Sequence, residues 1–271
     1  LWDGMRDPYV YLVKAQGRFR SVEYGEKMGG MEKEEKLDPA EDITGEVEMY
    51  WRQELTIYDV RVVEKKGILL NEKEFLPHEV VYRLPPQISD AGTRVEQVRR
   101  DLERLVQMGV NVIRLEGTGT GAEGVNCSEV RTFYSLCRKR GFLTGDLWIR
   151  PENLPVYRGL PGETTCQALL AADGRTLTER YYYYQAKWSS EPVLYPVLST
   201  LHRQENGLLS LTIYSNQKKV VLYVDGVLFL FQSAASGDPE FIFEDIPVAK
   251  LPLHLAVEAG NLSISLTVSK I

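Results

Sequence analysis

Thr93-Arg-Val-Glu-Gln-Val-Arg-Arg-Asp-Leu-Glu-Arg-Leu-Val-Gln-Met-Gly-Val-Asn-Val-Ile-Arg-Leu115 is the stretch that decides the fold. Val95, Val98, Leu102, Leu105 and Val106 recur at helical spacing, so an amphipathic helix is predicted. Thr93 with Glu96 three residues on has the spacing of a capping box. Gly109 supplies the residue that ends the helix in a left-handed turn. Val110–Leu115 then reads as a short apolar strand. Upstream, Gly67–Tyr82 holds a strand, a turn near Asn71-Glu72 and a second strand, and Pro85-Pro86 closes it. Downstream come a glycine-rich loop at Gly117–Gly124, a second amphipathic helix at Ser128–Arg140 ended by Gly141, and a strand at Phe142–Trp148. Strand, helix, strand, helix, strand predicts parallel, right-handed βαβ units.

On either side the period changes. Tyr9–Val13 reads as a strand after Asp7-Pro8, and Val47–Trp51 and Leu55–Val63 as further strands; between them residues 17–45 form a charged insertion. After Pro151 eight strands are predicted: Arg180–Trp188, Val193–Leu198, Leu208–Tyr214, Lys219–Val224, Val227–Gln232, Phe241–Glu244, Leu253–Ala259 and Leu262–Val268. Val224-Asp-Gly-Val227 is a hairpin signal. The expected fold class is α+β in several parts. A partial (β/α) barrel-like βαβαβ segment, residues 67–150, is flanked by a β-rich segment, 1–66, and by an immunoglobulin-like β-sandwich, 151–271.

A length of 271 residues allows real cores, and 44% hydrophobic with 26% charged residues is globular composition. A net charge of −6 and a pI of about 5.3 exclude a nucleic-acid binder, which needs a basic face. Arg94, Arg99, Arg100 and Arg104 alternate with Glu96, Asp101 and Glu103, which reads as a solvated helix face. No apolar run is long enough to cross a membrane. Cys127, Cys137 and Cys166 form neither a disulfide framework nor a metal spacing, and their odd number favours a reducing, cytoplasmic setting. His78, His202 and His254 share no metal-ligand spacing. Gly117-Thr-Gly-Thr-Gly-Ala-Glu-Gly124 lacks the Lys-Ser/Thr pair of a phosphate loop. No cofactor and no metal is expected.

Six phrases, in order, resemble glycoside hydrolase family two, the β-galactosidase and β-glucuronidase group. They are Leu1-Trp-Asp-Gly-x-x-Asp-Pro-Tyr-x-Tyr11, Gly67-Ile-Leu-Leu-Asn-Glu-Lys73, Arg100-Asp-Leu…Met108-Gly-Val-Asn-Val-Ile-Arg114, Phe133-Tyr-x-Leu-Cys137…Gly141, Tyr182–Ser189, and Tyr214-Ser-Asn216…Val221-x-Leu-Tyr-Val-Asp-Gly226. The resemblance implies a retaining hydrolase of O-glycosidic bonds with two catalytic glutamates on a closed barrel. This chain departs from that pattern. His78-Glu-Val-Val-Tyr-Arg83 stands where the family has a Gly-Val-Asn/Ser-Arg-His phrase, and Arg114-Leu-Glu-Gly-Thr-Gly119 keeps only the arginine of Arg-x-Ser-His-x-Pro. Asp146-Leu147 replaces the family's acidic pair, and no segment remains for its acid/base and nucleophilic glutamates.

The expectation is therefore a truncated or degenerate relative, catalytically incomplete as an isolated chain. The alternatives are a non-catalytic carbohydrate-binding or assembly module and one part of a split glycosidase. Glu116 and Asp146 follow successive strands, about 4.8 Å apart in a sheet, and are the candidates for a rebuilt acid pair, against ordinary loop-opening and turn-capping roles. Arg114 is a candidate to orient a sugar hydroxyl, against bracing the sheet; Trp148 is a candidate to stack on a sugar ring, against packing in the core. Tyr181–Tyr184 reads as core and interface packing, with a sugar-stacking strip as the other possibility. The expected partners are a carbohydrate, and a partner chain or self-association covering open barrel edges.

Overall fold

The computed structural model describes residues 10–20, 46–56, 58–64, 67–85, 91–116, 127–144, 154–159, 168–235 and 237–270. The Gly117–Gly124 loop, Asp146, Trp148 and most of the charged insertion lie outside them. Strands β1 (Val10–Arg20) and β2 (Glu46–Thr56) form an antiparallel pair in continuous register from Val10↔Thr56 to Arg20↔Glu46. The first four residues assigned to the insertion are therefore strand. β3 (Val60–Val63), β4 (Gly67–Leu70) and β5 (Lys73–Glu74) make a small antiparallel sheet, with Asn71 and Glu72 at positive φ in the expected turn.

Next, β6 (Glu79–Tyr82), α1 (Ala91–Met108), β7 (Val112–Leu115), α2 (Cys127–Lys139) and β8 (Leu143–Thr144) realise the predicted alternation, and β6-β7-β8 pair in parallel. Thr93 lies inside the first turn of α1, not at its cap, because the helix starts two residues earlier. Gly109 and Gly141 end their helices at φ +88° and +79°, as expected. Two strands had no counterpart in the sequence reading. β9 (Val156–Arg158) pairs in parallel with β6, and β10 (Ala168–Leu170) in parallel with β9. The sheet is thus five-stranded and all parallel, in the order β10-β9-β6-β7-β8.

The stretch Arg180–Trp188, expected as a strand, is helix α3 (Glu179–Trp188). Four tyrosines in a row carry a high strand propensity, but tertiary packing overrides it. Tyr181 is buried and donates its hydroxyl to the Arg104 carbonyl at 2.8 Å. Arg180 lies over the Tyr184 ring and Tyr184 packs on Trp188, both at helical i,i+4 spacing. Glu179 in the first turn and Lys187 in the last match the helix dipole.

One core lies between the parallel sheet and the helices. Val98, Leu102 and Leu105 of α1 and Phe133 and Cys137 of α2 meet Val80, Tyr82, Ile113 and Leu115 from the sheet, together with Tyr157, Leu169, Leu170 and Tyr181. Burying each such leucine contributes about 2 kcal/mol. On the sheet's other face Val112 and Leu143 pack with Leu70, against Val60 and Phe75 from the small antiparallel sheet.

The remaining strands are β11 (Leu194–Arg203), β12 (Leu209–Ser215), β13 (Lys219–Val224), β14 (Val227–Ser233), β15 (Glu240–Ile246), β16 (Leu253–Ala259) and β17 (Leu262–Val268). They form two antiparallel sheets, β11-β12-β15 and β14-β13-β16-β17. Leu211, Ile213, Phe241 and Phe243 of one sheet share a core with Val220, Leu222, Leu255 and Val257 of the other. Asp225 and Gly226, both at positive φ, make the expected hairpin turn.

Helix α3 joins the two units. Its Tyr182 ring stacks on Tyr195 at 3.8 Å, and Tyr183 meets Tyr214 edge-on at 5.4 Å. Asn216 clamps the exit from α3, donating to the Ser189 and Glu191 carbonyls and accepting from the Val193 amide. At the other end of the joint, a Cβ on Gly109 would stand 2.3 Å from the Trp188 carbonyl oxygen, so only glycine permits that approach. Next to it His78 stacks on Trp188 and pairs through Nδ1 with the Gly109 carbonyl at 2.9 Å. Burial lowers the His78 pKa, an effect the Gly109 carbonyl partly offsets.

Candidate functional site

The C-terminal ends of β6, β7 and β9 converge on one edge of the parallel sheet, the position where open α/β sheets carry their ligands. Arg83 follows β6, Glu116 follows β7, and Arg158 ends β9. The Glu116 amide donates to the Tyr82 carbonyl at 2.9 Å, which fixes the residue to the strand end. Its carboxylate is held by Arg83: Nε donates to Oε2, and Nη2 to Oε1 at 3.4 Å. The same guanidinium donates through Nη1 to the Arg158 carbonyl at 3.4 Å. Arg83 thus ties three strand ends together, and both Glu116 oxygens are engaged.

Arg114 lies one turn of pleat lower, on the sheet face that also carries Val112. Its Nε donates to Glu79 Oε1 at 2.8 Å, and Nη2 approaches the same oxygen at 2.7 Å. Glu79 is buried. The pair crosslinks β6 to β7. Asp146 and Trp148, the other two candidates, lie beyond the described end of β8, so the structure brings together Glu116, Arg83 and the Arg114–Glu79 pair.

On the helix side of the same strands sits a cluster that sequence reasoning missed. Asp101, assigned to the solvated face of α1, is 1% exposed. Its carboxylate accepts from Tyr82 Oη at 2.9 Å, Tyr157 Oη at 3.1 Å and Arg158 Nη2 at 2.8 Å. Burial, reinforced by the Asp101 charge, pushes the pKa of both tyrosines up, so the hydroxyls remain donors. Helical spacing carried the signal: Asp101 is three residues after Val98 and four before Leu105, inside the apolar stripe. Arg94 also leaves the solvated face, donating to the Pro85 carbonyl and to Glu129.

Among the described residues, cavities flank this sheet. One, of 170 Å³, lies between α1 and α2 and is lined by Leu84, Val95, Val98, Phe133 and Leu136 beside the Arg94–Glu129 pair. Another, of 580 Å³, is a groove between α3 and the β12–β15 sheet, lined by Glu179, Arg180, Tyr183, Tyr184, Tyr214 and Glu240. Its aromatic rings are engaged with one another and with cations: Tyr183 is edge-on to Tyr184 and Tyr214, and Lys187 stands over it. Tyr181 is buried, while Tyr183 and Tyr184 line the groove and pack on neighbouring rings. Among the described residues no group of three or more acidic, histidine or cysteine side chains is placed to hold a metal ion. No described helix is long and apolar enough to cross a membrane.

No family model and no curated protein matches this chain. Solved structures do. The chain is similar to an FMN-binding β-glucuronidase from Facaelibacterium prausnitzii L2-6, at 14% identity and a TM-score of 0.56, with 83% of this chain and 60% of that one covered. It is similar to the β-glucuronidase of Parabacteroides merdae at 10% identity and a TM-score of 0.61, over 99% of this chain and 54% of that one. A putative β-galactosidase from Bacteroides fragilis matches at 10% identity and a TM-score of 0.53, over 81% of this chain and 58% of that one. At such identities the likeness is one of fold: a partial glycoside hydrolase family two type of fold. The chain spans little more than half the length of these proteins.

Proposed function

We propose that this chain is a member of the glycoside hydrolase family two lineage that recognises carbohydrate and does not cleave a glycosidic bond on its own. One observation carries the reading. At the strand ends where a retaining hydrolase would present a reacting carboxylate, Glu116 has both oxygens on the Arg83 guanidinium. Retention needs two carboxyl groups about 5–5.5 Å apart, one to attack the anomeric carbon and one to protonate the leaving oxygen. Each must be available to the sugar and held on a closed barrel. The five described parallel strands are fewer than the eight that close such a barrel. What the site offers instead is two strand-end arginines, Arg83 and the family-matched Arg114, each held on a carboxylate, Glu116 and Glu79, that a sugar hydroxyl would join or displace.

A second reading has its own support. Edge strands β8 and β10 have two and three residues, and among the described residues no strand pairs with their outer edges. Strands from another polypeptide would complete it, which makes the chain one part of a split glycosidase.

The test is hydrolysis of aryl β-galactosides, β-glucuronides, β-glucosides and β-mannosides by the purified chain, beside a Glu116→Gln, Asp146→Asn variant, with sugar affinity measured calorimetrically. The expected result is no turnover and binding in the micromolar to millimolar range. Turnover that disappears in the folded double variant overturns the non-catalytic reading. Absence of sugar binding at millimolar concentration removes the carbohydrate reading and leaves assembly.

A further inference from the structure

We propose that the free edge of the four-stranded sheet is a self-association surface, on which β14 of one copy pairs antiparallel with β14 of a second copy. The strand is the outermost of the order β14-β13-β16-β17, so among the described residues its outward N–H and C=O groups have no ladder partner. Its sequence, Val227-Leu-Phe-Leu-Phe-Gln-Ser233, contains no charge and no proline. Those are the devices by which edge strands resist pairing.

Among the described residues the strand also gathers several exposed large hydrophobic side chains. Val227 is 70% exposed, Leu228 55%, Leu230 42% and Phe231 53%, and Ile242 on the neighbouring edge strand β15 is 49% exposed. These side chains lie on both faces of β14: Leu230 shares a face with Leu222, while Phe231 and Leu228 share the opposite face with Val221 and Tyr223. Gln232 fastens the two edges, donating to the Ile242 carbonyl at 2.6 Å. From these exposures the apolar area is about 500 Å² per copy, at the upper end of what a monomer leaves uncovered. Edge-to-edge pairing covers part of this area on each copy, and together with the backbone ladder the contact falls at the small end of specific interfaces.

A second copy of this chain is the occupant favoured by the charge pattern. The molecule carries a net charge of −6, yet no residue of Val227–Ser233 is charged, and Lys219 of the neighbouring β13 lies over the Phe231 ring on a sheet face, not on the outward edge. Leu230 is the midpoint of the seven-residue strand. An antiparallel pairing about a two-fold axis beside it sets Leu230 next to Leu230 of the second copy and Phe229 across from Phe231. Such a contact is self-complementary and closes at two copies.

Sedimentation equilibrium of the purified chain, from about 1 to 100 µM, tests this. The expected species is a dimer. Leu230→Lys and Leu230→Glu, each introducing like charges at the two-fold axis, are expected to weaken it about 100-fold, and an equimolar mixture of the two is expected to restore a dimer. Leu228→Lys, on the other face of the strand, serves the same purpose if the position-230 variants lose their circular dichroism. A monomeric wild type at the highest concentration overturns the proposal. So does an assembly that persists in Leu230→Lys and Leu228→Lys, or a lysine/glutamate mixture that stays monomeric.

Discussion

Asp101 is expected to be the most stabilising charged residue of the parallel-sheet unit, and Asp101→Asn isolates its charge at constant volume. In the folded chain three donors converge on this buried carboxylate: Tyr82 Oη at 2.9 Å, Tyr157 Oη at 3.1 Å and Arg158 Nη2 at 2.8 Å. Asparagine offers one acceptor oxygen and turns an NH₂ toward the remaining donors. Arg158, itself buried, loses its counter-charge. Breaking a buried pair by removing one partner costs about 3–5 kcal/mol, and a stranded tyrosine hydroxyl adds about 1 kcal/mol. The expected loss is about 4–6 kcal/mol. Urea unfolding followed by helical circular dichroism reads it, because α1 and α2 pack on this sheet's core, while α3 bridges to the antiparallel sheets through Tyr182 and Tyr183. The second arm is Arg158→Met in the Asp101→Asn background, which removes the orphaned cation and is expected to restore about half of the loss. A loss under about 1 kcal/mol, or a double variant less stable than Asp101→Asn alone, refutes a charge-paired core at this position.

Two further outcomes are expected. Gly109→Ala places a Cβ 2.3 Å from the Trp188 carbonyl oxygen at φ +88°, whereas Gly226→Ala at φ +81° meets open space. The first should lower stability by at least about 3 kcal/mol and the second by about 1 kcal/mol, both measured as urea midpoints. Tyr181 is held by burial at a pKa of about 12 against an ordinary 10.0. Below the ordinary value both states keep the proton and nothing is lost. Between the two values the unfolded chain ionises first, so stability falls by about 3 kcal/mol. Tyr181→Phe should remove that part of the alkaline decline, and an unchanged decline in the variant would dismiss it.

What could be read from sequence was whatever repeats with a period or turns on a glycine. The alternation of β6, α1, β7, α2 and β8 was legible because α1 carries four turns of apolar spacing and Gly109 and Gly141 mark its end and that of α2. The Asp225-Gly226 hairpin was legible for the same reason. β9 and β10 were not, since three residues contain no period; β9 pairs with β6 and β10 with β9, and Tyr157 of β9 reaches Asp101 across 56 residues of chain. Helix α3 was misread because local propensity and tertiary demand disagree there. As a strand, Tyr181 and Tyr184 would point to opposite faces of a sheet; as a helix, Tyr181 reaches the Arg104 carbonyl while Tyr184 and Trp188 line the joint toward His78.

The candidate site follows the same logic one level up. A sequence shows that acidic residues are present, but only packing shows what each is joined to. Around this sheet Glu79 is on Arg114, Glu116 on Arg83 and Asp101 on Arg158. Each pair also crosslinks separate elements: β6 to β7 by the first, the ends of the same two strands by the second, and α1 to β9 by the third. For Glu116 to react with a sugar, its pair with Arg83 would have to loosen. Glu116→Gln separates these roles. Its exposed pair should contribute under about 1 kcal/mol to stability, so any larger functional effect of that substitution on sugar affinity belongs to the site itself. An affinity for sugar that survives Glu116→Gln and falls in Arg114→Met would place recognition on the arginine side of these pairs; the reverse order would return Glu116 to the role of a reacting group.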